Sequence, residues 1–118
     1  MVVLQGEIYW LNLPKPKDSE PGYRRLCLVV QSNAFNRSRI ATTVVVILTS
    51  NLKLAKAPGN ILIKAAVANL PKDSVVNISQ ILTINKTDLK TNEKIGQVNA
   101  ECMDLILQGL TVLLFSRI

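Results

Sequence analysis

The 118-residue sequence predicts a mainly β fold of the α+β class, a small, strongly bent antiparallel barrel with one C-terminal α-helix. Three observations carry this. Short runs of β-branched residues recur between Pro and Gly turns, a single long helical pattern closes the chain, and the composition is 48% hydrophobic with only 4% aromatic, so Val, Ile and Leu fill the core. At this length the chain is expected to form one domain, residues 1–118.

Glu7 to Leu13 is rich in β-formers and is stopped by the run Pro14-Lys15-Pro16-Lys17-Asp18-Ser19-Glu20-Pro21-Gly22, which continues neither strand nor helix. Gly22 to Gln31 supplies the second strand, and residues 32–39 form a polar loop with room for a helical turn. Thr42 to Thr49 is almost wholly β-branched and is the strongest strand signal. Asn60 to Lys64 is expected as a fourth strand, Ala65 to Leu70 as a helical turn, and Ser74 to Ile84 as a long strand with Val76, Ile78, Leu82 and Ile84 on one face. Gln80 shares that face, where an amide needs a partner in the fold or in a ligand. A helical turn at Thr87 and a brief strand at Lys94 to Val98 precede the last element.

That element is a helix with Asn99 as N-cap, running to about Leu114. Cys102, Leu105, Ile106, Gly109 and Leu113 form its expected stripe, yet Met103, Leu107, Leu110 and Leu114 leave little polar surface opposite. A helix apolar on most sides predicts a homo-oligomer.

The net charge of +6 is uneven. Residues 1–64 hold nine Lys and Arg against three acids, whereas the remainder is balanced, so the excess sits in loops of the first half. Such a face suits a polyanion or serves as generic basic surface. Cys27 and Cys102 stand without CxxC spacing or any histidine and are expected as core thiols. No leader pattern opens the chain and no apolar run is long enough to span a bilayer, so the expected location is cytoplasmic, with no membrane partner. P-loop, GxGxxG, HExxH and GxSxG patterns are absent.

Arg24 and Arg25 stand where the Pro21-Gly22 turn enters an apolar strand. A guanidinium held on a rigid element recognises phosphate or carboxylate, and the alternative is a pair of solubility charges. Thr49, Ser50 and Asn51 end the central strand with polar groups, another candidate site.

Gly6-Glu7-Ile8-Tyr9, Ser19 to Arg25 entering a strand that ends at Gln31, Leu48-Thr49-Ser50, Leu70 to Val76, Gln80 to Ile84 and Lys94-Ile95-Gly96 together resemble the MazF/PemK toxin endoribonucleases in order and spacing. The sequence departs from that family's pattern at Leu26 and Ser79. The resemblance implies an SH3-like barrel, a homodimer, metal-independent cleavage of single-stranded RNA and silencing by a cognate antitoxin with an acidic, partly disordered segment. By the Glu-x-Gly-x-x-Arg pattern it gives the catalytic arginine as Arg25, with Thr49 and Glu20 as its companions. Arg24, Arg37, Ser50, Lys53, Lys56 and Gln80 are the expected RNA contacts, while Tyr23 and Phe35 either stack a base or pack in the core.

With no histidine in the chain, a two-imidazole ribonuclease mechanism is impossible, and the lack of a carboxylate or Cys cluster argues against a tightly held metal or other cofactor. Attack by the RNA's own 2′-hydroxyl remains, for which a guanidinium stabilises the phosphorane. The rival readings are a CcdB-like, non-catalytic gyrase poison and a non-catalytic RNA-binding barrel.

Overall fold

The computed structural model describes residues 2–14 and 23–118. Six strands form one antiparallel sheet: β1 (Glu7–Leu13), β2 (Tyr23–Val29), β3 (Thr42–Thr49), β4 (Ile61–Ile63), β5 (Ser74–Asn85) and β6 (Lys94–Gln97), in the order β4-β5-β3-β2-β1-β6. Two short helices, α1 (Asn33–Asn36) and α2 (Ala65–Ala68), occupy connections, and α3 (Ala100–Phe115) ends the chain. Tight 3-10 turns at Leu52–Lys56, Lys86–Asp88 and Thr91–Glu93 complete the connections. The predicted strands are all present, and the predicted turn at Thr87 is one of these 3-10 turns.

The sheet curls into a half-barrel, and no ladder joins its edge strands β4 and β6. The turn after α2 bridges that gap. Asn69, at φ 58, donates from Nδ2 to the Ile95 carbonyl at 2.7 Å, and a Cβ on Gly96 would collide with the Ala68 carbonyl oxygen. Glycine at 96 lets the two edges approach where side chains on both would hold them apart.

Alternation along the strands feeds two apolar interiors. Ile8, Leu28, Val46, Leu48, Val76 and Ile78 meet Met103, Ile106 and Leu110 of α3, whereas Tyr9, Leu11, Cys27, Val29, Val45 and Ile47 form the opposite cluster with Val3 and Leu89. Here the sequence-based view of β5 is corrected. Val46 pairs with Ile81 but Ile47 with Asn77, so residues 78–80 form a bulge. The inserted residues reverse the alternation, and Val76 and Ile78 face α3 while Leu82 and Ile84 pack on the other cluster. Gln80 lies in the bulge, not in the middle of one apolar face. Asn60 secures the bulge, since its Oδ1 accepts from the Ile78 amide at 3.0 Å while its Nδ2 donates to the Leu54 carbonyl at 2.9 Å.

The Asn99 side chain accepts from the Cys102 amide at 2.8 Å, capping α3 as expected. Its buried stripe is nevertheless Met103, Ile106, Gly109 and Leu110, with Leu105 and Leu113 exposed. A backbone contact sets this rotation: a Cβ on Gly109 would overlap the Gly59 carbonyl oxygen, so the helix is seated with Gly109 against the Pro58-Gly59 turn. Tyr23 and Phe35 are exposed rather than packed in the core.

Candidate active site

The start of β2 and the end of β3 lie side by side. The β2–β3 ladder ends where Cys27 pairs with Ile47, and Arg25 and Thr49, each on the side that Cys27 and Ile47 face, lie two residues beyond it on their strands. Both line one pocket, which Trp10, Arg24, Leu26, Leu48, Ser50, Pro71, Lys72 and Ser74 complete. Residues of both alternations reach it because the pocket lies over the strand ends.

The two neighbouring arginines are in opposite electrostatic states. Arg24 forms a forked ion pair with Glu93, Nη2 to Oε2 at 2.6 Å and Nη1 to Oε1 at 3.3 Å, and its guanidinium carbon lies 4.9 Å from the centre of the Trp10 ring. Arg25 is exposed and, among the described residues, has no hydrogen-bond or ion-pair partner. A cation without a carboxylate beside it is available to an incoming anion. The Thr49 hydroxyl accepts from the Asn51 amide at 3.1 Å, which fixes its oxygen and leaves its proton to donate. The Asn51 side chain in turn accepts from the Lys53 amide at 3.2 Å and starts the 3-10 turn Leu52–Lys56.

On the far wall, buried Ser74 donates to the Lys72 carbonyl at 3.0 Å, and the Asp73 carboxylate accepts from the Ala65 amide at 2.8 Å. These bonds hold the Pro71-Lys72 turn at the pocket. Cys27 is two residues along β2 on the Arg25 side, but burial pushes its thiol pKa up to about 12, so it is no nucleophile at neutral pH.

Of the residues singled out from sequence, Arg24, Arg25, Thr49 and Ser50 meet at this pocket. Lys53 and Lys56 are exposed on the adjoining 3-10 turn but do not line it. Arg37 is elsewhere: it caps α1 and lines a separate cleft with Arg39 and Lys86 beside the opposite end of β3. Gln80 does not line the pocket, and Glu20 lies outside the described residues. Sequence reasoning passed over Trp10, Lys72 and Glu93. Lys72 carried a signal in the basic Pro71-Lys72-Asp73 turn, whereas nothing local linked Glu93 to Arg24, 69 positions away. Among the described residues, no cluster of three His, Cys, Asp or Glu side chains could hold a metal ion, and no helix is long and apolar enough to cross a membrane.

A curled antiparallel sheet with one C-terminal helix and an arginine- and hydroxyl-lined pocket at its strand ends defines a small half-barrel with a candidate anion site. The family profile of PemK-like, MazF-like toxins of type II toxin-antitoxin systems matches residues 4–114, and the chain belongs to that family. It is 46% identical over 110 residues to Endoribonuclease MazF2 of Mycobacterium bovis, covering 93% of this chain and 95% of that one. Endoribonuclease EndoA of Bacillus subtilis is 33% identical over 112 residues, 95% and 94% of the two chains. In fold it is similar to a mycobacterial endoribonuclease solved with its cognate antitoxin, at TM-score 0.76, 26% identity and coverage of 96% and 95%. The Deinococcus radiodurans MazF superposes at TM-score 0.78 with 22% identity over 98% and 99% of the chains, a likeness of fold.

Proposed function

We propose the route by which this endoribonuclease toxin cuts single-stranded RNA. The 2′-hydroxyl of one nucleotide gives up its proton to a base, Glu20 or solvent water, as its oxygen bonds to the adjacent phosphorus; the bond from phosphorus to the 5′-oxygen breaks, and the leaving 5′-oxygen takes a proton from water. The ends are a 2′,3′-cyclic phosphate and a 5′-hydroxyl. Arg25 presents its forked donors to the equatorial oxygens of the phosphorane, and Thr49, its oxygen already fixed by the Asn51 amide, donates its proton to one of them. Ser50 and Lys72 add a donor and a charge at the rim. Glu20 is assigned by resemblance the task of orienting Arg25 or accepting the 2′-hydroxyl proton. Arg25 acts as a stabiliser rather than a base, because a guanidinium stays protonated at neutral pH.

The observation that carries this reading is the placement of an arginine unpaired among the described residues in one pocket with a strand-end threonine. A gyrase poison has no evident use for that pair. The reading extends to one domain acting in the cytoplasm, a cognate antitoxin with an acidic segment covering the cationic pocket, and a homodimer. The exposed Leu105, Val112, Leu113, Leu114 and Phe115 of α3 support the dimer.

Incubation of the protein with mixed-sequence RNA in EDTA tests the route. Arg25→Ala and Thr49→Ala are each expected to lower the cleavage rate by about 10²-fold or more, the usual effect of losing one oxyanion donor, and mass spectrometry should find cyclic phosphate ends. Undiminished cutting by Arg25→Ala, or cutting of an RNA lacking the 2′-hydroxyl at the scissile position, overturns it.

A further inference from the structure

We propose that Trp10, Arg24 and Glu93 form a stacking platform for the nucleobase next to the scissile phosphate, making Arg24 a specificity-determining residue rather than a phosphate contact. The proposal rests on the endoribonuclease reading above and names how the same pocket takes its substrate.

The three side chains come from β1, from β2 and from the turn before β6; Trp10 and Arg24 line the pocket with Arg25 and Thr49, and Glu93 reaches Arg24 from a neighbouring cleft that Trp10 also lines. The Glu93 carboxylate grips both terminal nitrogens of Arg24, which fixes the plane of the guanidinium. The guanidinium carbon lies over the Trp10 ring, 4.9 Å from its centre, and 46% of the Arg24 side chain stays open to solvent. Trp10 and Arg24 both line the pocket. A flat, π-compatible surface, supported from behind and held edge-on by a carboxylate, is what an unstacked base accepts. A phosphate approaching the same guanidinium would meet the Glu93 charge, which already occupies both of its terminal nitrogens. The adjacent arginines thus divide the work, Arg25 taking the phosphate and Arg24 the base.

Lysine at position 24 keeps the charge and loses both plane and fork. In a short RNA holding a mapped cut site, removing the base beside the scissile phosphate should raise KM for the wild type by about tenfold. Arg24→Lys should raise KM for the intact RNA by a similar factor, with a smaller effect on kcat, and should gain little further from the abasic change, since both remove one contact. Glu93→Gln, which keeps the shape, should give an intermediate KM and a relaxed choice of cut site. Trp10 is the only tryptophan, so its emission should change when an uncleavable 2′-O-methyl RNA is added and not when the abasic version is added. The platform is overturned if wild-type enzyme cuts abasic and intact RNA with equal KM. It is also overturned if Arg24→Lys keeps the wild-type KM while Arg24→Leu loses affinity with a salt slope shallower by about one, the mark of a phosphate contact. Failure of the wild type to cut any RNA would remove the nuclease reading and the platform with it, a result distinct from both.

Discussion

Alanine at Gly109 sets helix propensity against packing, and the structure decides the sign. In an open helix the change favours folding by about 1 kcal/mol. Here the new Cβ would overlap the Gly59 carbonyl oxygen and come within 3.1 Å of Ile78 Cγ1 and 3.2 Å of the Gly59 carbonyl carbon. Gly59 has little room to retreat, since it holds φ +79 in a turn that begins with Pro58. The helix must therefore lift, and lifting loosens Met103, Ile106 and Leu110, each contributing about 1.5–3 kcal/mol when fully buried. Overpacking of this kind costs about 1–3 kcal/mol, occasionally more, and the clash with backbone places Gly109→Ala at the upper end. After the propensity gain the net loss is about 2 kcal/mol, or a Tm roughly 8 °C lower for a domain of this size. Thermal and urea unfolding followed by circular dichroism measure it, with exposed Gln108→Ala expected within about 0.5 kcal/mol of the wild type as control. A Gly109→Ala protein that melts at or above the wild-type temperature refutes the account of how α3 is seated.

Alkaline pH should unfold the protein through two buried acids. Burial raises the Cys27 thiol from 9.0 to about 12, and burial with the Glu7 hydrogen bond raises the Tyr9 phenol from its ordinary value of 10.0. In the unfolded chain these groups ionise at their ordinary values, so the stability they contribute is whole below pH 9.0 and declines as pH rises toward about 12. Urea midpoints across that window should fall, and should fall less steeply in Cys27→Ala; an identical slope in the variant would count against it. The exposed end of α3 predicts sedimentation at about twice the 13.0 kDa chain mass, reverting to the single mass in Leu113→Glu with Phe115→Glu. A wild-type protein that sediments as a single chain over the micromolar range rules out the dimer.

Much of the molecule was legible because its signals are local. The β-branched run of Thr42 to Thr49 gave β3 its bounds, and Asn99 marked the start of α3 with the amide acceptor that the first turn needs. What escaped depends on pairs distant in the chain. The helix rotation is set by Gly109 against Gly59, so the stripe through Leu105 and Leu113 suggested by apolar spacing gave way to Met103, Ile106 and Leu110. Periodicity could not reveal a bulge in β5, and the face expected there broke at residues 78–80. At the pocket, the strand end and the turn-mounted arginine were visible, but the summed basic charge did not tell which cations share it. Arg37 contributes to a cleft at the other end of β3, up to about 23 Å from Thr49 at roughly 3.3 Å per residue. Arg24 is paired with Glu93, a partner that no local pattern could have named.

The bulge in β5 also governs how this protein comes apart. Since one continuous strand walls both apolar clusters, with Val76 and Ile78 serving one and Leu82 and Ile84 the other, unpairing β5 opens both at once. Loss of that strand from the sheet therefore couples the two interiors, and the sheet should open as one unit rather than one face at a time.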